Sequence, residues 1–227
     1  PEGEEDKILR AAQILVNENI ATPILLGNAE AIAAKAKHMH VDLSGITVID
    51  PTTSDKRDEY VGKMFELRQR KGVTHNGAMS QLKGNYNYFG ALMVQQGDAD
   101  TMLSGINHHY PETIRPSLEI IGKQNNLSKV HGMYMMVFKK QVVFIADATV
   151  AIDPTPEELA ETAILVAEKV RQFNIVPKVA MLSFSNFGSS TDPQALKVKK
   201  ATALVKQLDP DLIVDGEIQA NVALDPE

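Results

Sequence analysis

Residues 177–190 read PKVAMLSFSNFGSS. Val179 to Leu182 is a short, wholly apolar run entered from a proline, the pattern of a strand buried on both faces of a parallel sheet. The run spills into Ser183, Ser185, Asn186, Gly188, Ser189 and Ser190. In open α/β sheets, ligands sit at the carboxyl ends of strands. Small hydroxyls and a permissive glycine let backbone N–H groups face an anion closely. An ordinary turn accounts for the same residues equally well.

Working outward, the chain alternates short apolar runs with amphipathic stretches. Upstream, Asp153-Pro154-Thr155-Pro156 introduces a helix with the stripe Leu159, Ala163, Val166, Val170 and Phe173. Downstream, Thr191-Asp192-Pro193 caps a helix with Val198, Ala201, Val205 and Leu208 inward. A last strand at Leu212–Val214 then ends in Asp215-Gly216-Glu217, and DGEIQANVAL, the last feature, has no helix after it. Gly132–Phe138 and Val142–Ala146, separated by Lys139-Lys140-Gln141, read as a hairpin.

Nearer the start, helices are expected over 4–18, 29–37, about 55–70, 74–82, 88–96 and 112–121, with Pro116 limiting where the last can begin. Strands are expected at 23–26, 46–49 and 101–103. This rhythm is that of a doubly wound α/β domain. The polar stretch GKQNNLSK, residues 122–129, is the best domain boundary, giving domains over 1–124 and 125–227.

At 227 residues the chain has room for one large domain or two modest ones. Its 44% hydrophobic and 23% charged residues are those of a soluble globular protein. A net charge of −6 with no basic tract argues against nucleic acid as a partner. No apolar run is long enough to span a bilayer and no signal peptide is visible, so neither a membrane partner nor export is expected. The absence of cysteine excludes disulfides, thiolate metal sites and cysteine nucleophiles, and fits a cytoplasmic setting. The chain opens on Pro-Glu-Gly and ends at LDPE, which reads as a piece of a longer protein.

Neither G-x-G-x-x-G nor G-x-x-x-x-G-K-[ST] occurs. His108-His109 with Glu112 is a poor metal site, because adjacent side chains point apart, and no metal is expected in this segment. Arg115, in TIRP, could offer its fork to a phosphate or carboxylate from the ligand edge of the sheet. Arg68, in ELRQRKG, could do the same or merely complement a helix C-terminus. Asp147 in FIADATV, and Asp215 and Glu217, are strand-end acids that could line a cleft or close turns.

Taken together, PEGEEDKILRAA, ATPILLGN, ELRQRKG, YFGALMVQQGDADTMLSG, ETIRPSLEIIG, FIADATVAIDPTPEELAE, VAMLSFSNFGSS and DGEIQANVAL resemble the phosphate acetyl/butyryltransferase family. They run in the family's order over almost the whole chain. The resemblance implies two α/β/α subdomains, of the phosphotransacetylase and isocitrate-dehydrogenase-like kind, with a cleft between them. The first would lack its C-terminal return here, and the second would mediate a homodimer or higher homo-oligomer. Arg68 and Arg115 would then help bind CoA or an acyl phosphate. Ser104, Ser183, Ser185, Asn186, Gly188 and Ser189 would line the ligand edge, with Asp147, Asp215 and Glu217 as cleft acids. The family's catalytic base belongs to a motif beyond Glu227, so no catalytic residue is assigned.

Within the family, Asn186 and Phe187 make SFSNFGSS similar to the C-terminal domain of hybrid NADP-dependent malic enzymes, as do PEGEED and DGEIQAN. That branch implies acetyl-CoA as an allosteric effector, with NADP and magnesium or manganese used by a malic-enzyme domain that would be this segment's own partner. The alternative is a working phosphate acetyl- or butyryltransferase.

Overall fold

The computed structural model describes residues 1–124 and 127–225, and the chain divides into two compact units, Pro1–Lys123 and Gln124–Glu227. Part of the polar boundary stretch, residues 125 and 126, lies outside the described residues.

In the first unit, α1 (Asp6–Asn17) leads to β1 (Ile24–Leu26), α2 (Ala29–Met39) and β2 (Thr47–Ile49). The two strands pair in parallel, Leu25 opposite Val48, so this is a βαβ unit. Asn28 starts α2 by accepting the Ala31 N–H on its side chain, and His40 ends it in a left-handed conformation. Then come α3 (Arg57–Arg68), a 3₁₀ turn (Gln69–Lys71), α4 (His75–Gly84), α5 (Tyr86–Gln96) and α6 (Tyr110–Ile120).

Helix α5 is the centre of this unit. Seven consecutive residues, Asn87 to Met93, are buried, and Phe89, Leu92, Tyr60, Met64 and Leu82 share one core. Gly90 permits a close approach here: a Cβ on it would stand 2.8 Å from the Met102 sulfur. Tyr60 donates its hydroxyl hydrogen to Asp98 at 2.5 Å, tying the turn after α5 to α3.

Two expectations change in this unit. Residues 101–103 form no strand, and the chain there runs directly into a turn organised by Glu2. Pro116 is the seventh residue of α6 and not part of its first turn. Its missing N–H leaves the Glu112 carbonyl without its helical partner, and the Asn85 side-chain amide donates to that carbonyl at 3.2 Å.

The second unit opens with an antiparallel hairpin, β3 (Met133–Val137) and β4 (Val142–Ala146), as the pattern predicted. Helix α7 (Pro156–Gln172) carries a full capping box between Thr155 and Glu158. Its buried face is Ala160, Ala163, Ala167 and Val170, rotated from the expected stripe, and Phe173 is exposed beside Phe144. β5 (Lys178–Leu182), α8 (Pro193–Leu208) and β6 (Ile213–Ile218) form a second βαβ unit with a parallel pair.

β5 is not buried on both faces. Met181 is buried, whereas Ala180 is exposed and Leu182 is 49% exposed, because α7 and α8 pack on the face that carries Val179 and Met181 and leave the alternate face open. Leu208 is likewise exposed rather than inward. β6 runs longer than expected, so Asp215 and Glu217 lie inside it, and the short α9 (Ala220–Ala223) follows. No helix among the described residues is long and apolar enough to cross a membrane.

Candidate functional site

Most candidate residues fall in three arrangements, two in the first unit and one in the second. In the first unit, Arg68 is the last residue of α3, and its Nη2 lies 3.0 Å from Glu119 Oε1. Arg115 stands on α6 one turn before Glu119, exposed and with no ion pair among the described residues. Tyr88, from α5, donates its hydroxyl hydrogen to Glu119 Oε2 at 2.8 Å. Burial and the Glu119 hydrogen bond push the Tyr88 pKa up to about 12, against the pull of Arg115 and Arg68. Both arginines therefore act electrostatically on one phenol.

Ser104 sits on a different arrangement in the same unit. The Glu2 carboxylate, whose side chain is 4% exposed, accepts hydrogens from the backbone of Gly105 at 2.9 Å, Ile106 at 3.1 Å and Asn107 at 2.8 Å. His108 Nδ1 is 2.9 Å from it, and the Ser104 hydroxyl 3.4 Å. Burial pushes the Glu2 pKa up, but these donors outweigh it and hold it at about 2. Three successive N–H groups around one anion make a nest of the phosphate-binding type, here closed by the protein's own carboxylate. His109 and Glu112 take no part in it, and no group of three or more metal-ligating side chains comes together among the described residues.

In the second unit the loop after β5 is built in the same way. Glu217, 1% exposed, accepts the Gly188 N–H on its side chain and the Phe187 N–H, at 2.8 Å, on its carbonyl. Hydrogen bonds from its own amide and from Gly188 hold its pKa low, against burial. Asn186 Oδ1 accepts the Gln219 N–H at 2.7 Å, and the Ser189 hydroxyl accepts the Asn186 N–H at 3.1 Å. Ser185 is buried, its hydroxyl 3.5 Å from that of Ser183. The N–H groups of Phe187 and Gly188 thus serve the protein's own chain. Phe184 and Phe187, each 59% exposed, face outward from this loop together with Gly188 and Ser189.

The three acids differ among themselves. Asp147 folds back on its own loop, accepting from Thr149 and Val150 at 3.0 Å each and from Ala151 at 3.3 Å. Asp215 is exposed and paired with Lys206 at 3.2 Å. Asp147 and Glu217 therefore close loops. Sequence reasoning did not find Glu2, Tyr88 or Glu119. Only Glu119 carried a local signal, its spacing of four from Arg115.

A family model described as phosphate acetyl/butaryl transferase matches residues 1–227. The chain belongs to that family. It is 38% identical over 225 residues to a phosphate acetyltransferase of Helicobacter pylori, covering 99% of the chain and 43% of that relative. It is 35% identical over 227 residues to an NADP-dependent malic enzyme of Salmonella typhimurium, covering 99% of the chain and 30% of that relative. The chain thus spans less than half the length of either. A phosphotransacetylase structure from Streptococcus pyogenes superposes with a TM-score of 0.88 at 37% identity, covering all of this chain and 69% of that one. The mixed α/β fold is therefore that of a phosphotransacetylase.

Proposed function

We propose that this chain is the CoA-binding portion of a phosphate acyltransferase, which exchanges an acyl group between CoA and inorganic phosphate. The observation that carries the reading is Arg68 paired with Glu119 beside Tyr88, with Arg115, whose charge also acts on that phenol, exposed on α6 and without an ion pair among the described residues. The phosphate acetyltransferase of Helicobacter pylori and the phosphotransacetylase fold support it. In the transfer step the CoA thiolate attacks the acyl carbon of an acyl phosphate, forming the thioester, while the C–O bond breaks and phosphate leaves. The arginines' part is electrostatic: they hold ligand phosphates against their mutual repulsion.

A second reading has one specific support, the match to a malic enzyme over nearly the whole chain. In it the domain takes acetyl-CoA as an effector and acts by binding one state of a parent NADP- and metal-dependent enzyme better than another. Association of the second unit with a copy of itself is a further part of either reading. The exposed apolar residues of the β3–β4 hairpin, among them Met135 and Val137, support it.

One assay separates the two readings. Incubated with acetyl phosphate and CoA, the full-length protein is expected to form acetyl-CoA. The transferase reading fails if no thioester appears while acetyl-CoA changes the rate of malate oxidation by the same preparation.

A further inference from the structure

Glu119 is held on both oxygens, by Arg68 on Oε1 and by the Tyr88 hydroxyl on Oε2. The three side chains come from three helices: α3, α5 and α6. Tyr88 is 7% exposed and packed in the core around Phe89 and Leu92, so its ring has little freedom to move. Its raised pKa keeps the phenol protonated through the neutral range, so it remains a donor to Glu119. Arg68 and Glu119 are each 22% exposed, a setting in which an ion pair is screened less than at the open surface. Arg68 Nε is buried with no partner, so Glu119 is the group among the described residues that fixes the direction of the guanidinium fork.

Arg68 and Arg115 are thus unequal. Arg115 sits on an exposed turn of α6 with no ion pair among the described residues, whereas Arg68 is paired with a carboxylate that a buried tyrosine anchors in turn. A planar fork meets a phosphate well only when its orientation is set beforehand, because ordering a free arginine on binding costs rotamer entropy.

We propose that Tyr88 and Glu119 are positioning residues, which set the Arg68 guanidinium so that it and Arg115 together grip the phosphates of a CoA-type polyanion. The assignment rests on the CoA-binding reading above and adds to it two residues that touch no ligand themselves.

Tyr88→Phe removes one hydroxyl and leaves the ring in the core. Calorimetric titration of the full-length protein with CoA is expected to show about five- to tenfold weaker binding for this variant, which remains folded with Tm lowered by only a few degrees. Arg68→Ala is expected to weaken binding by at least as much. The double variant is expected to be no weaker than Arg68→Ala alone, because Tyr88 acts only through Arg68. A purely structural tyrosine would give additive losses. Glu119→Asp, which keeps the charge but draws the carboxylate back, provides a second route to the same loss should Tyr88→Phe fold poorly. CoA binding that both Tyr88→Phe and Glu119→Asp leave within twofold of the unaltered protein overturns the assignment alone. Absence of CoA binding by the unaltered protein overturns the functional reading and the assignment with it.

Discussion

Glu2 shows what one carboxylate can do for a loop. It is almost fully enclosed, yet four amide or hydroxyl donors and a histidine ring converge on its two oxygens. A carboxyl with a folded pKa of about 2, against an ordinary 4.5, stabilises the fold fully only above about pH 4.5, and that contribution is lost as pH falls toward 2. The shift corresponds to about 3 kcal/mol. Glu2→Gln is therefore expected to lower stability at pH 7 by about 2–3 kcal/mol, since an amide turns an NH₂ toward backbone N–H groups. The deficit should shrink steadily between pH 5 and pH 2, measured by urea unfolding at each pH. A deficit that stays constant over this range would mean that the charge of Glu2 is not what holds the loop.

At the scale of the element, α6 shows how a helix tolerates an internal proline. Proline normally costs a helix about 3 kcal/mol through a lost hydrogen bond and a clash. Here the bared Glu112 carbonyl is met by the Asn85 amide, while the same side chain accepts the Asn87 N–H at 2.9 Å and so starts α5. One residue thus serves the ends of two elements. Asn85→Ala is expected to cost about 1–2 kcal/mol, because the part-buried Asn87 N–H loses its acceptor while the exposed Glu112 carbonyl can turn to water. Asn85→Asp keeps the cap acceptor but sets an oxygen against the Glu112 carbonyl, and its stability should lie below that of the unaltered protein. Guanidinium unfolding of the two variants checks both expectations. The helices themselves were legible in the sequence because caps and periodicity are local: Thr155 and Asp192 cap α7 and α8 within the stretches expected to start them. The strand expected at 101–103 was not realised, since a three-residue apolar run states no partner, and pairing is decided by neighbours far along the chain.

For the molecule as a whole, each hydrophobic core draws its residues from one unit. Leu9, Leu25 and Ile32 form one and Tyr60, Phe89 and Leu92 another in the first unit, while Met181, Val205 and Val214 belong to the second. A segment of residues 1–123 is therefore expected to unfold in one cooperative transition, with far-ultraviolet and tyrosine near-ultraviolet dichroism superimposing. Transitions that do not coincide would show that the two cores of this unit melt separately. The residues alone were enough for the α/β rhythm and the family, because period, capping and ordered motifs are properties of neighbouring positions. They also singled out Arg68 and Arg115. They could not say that Glu2 fills the nest at 105–107, that Glu217 takes the amides of the serine-rich loop, or that Glu119 and Tyr88 hold Arg68. Those pairings close over 29 to 105 positions of chain, and only the packing of the intervening elements brings such groups within hydrogen-bonding distance.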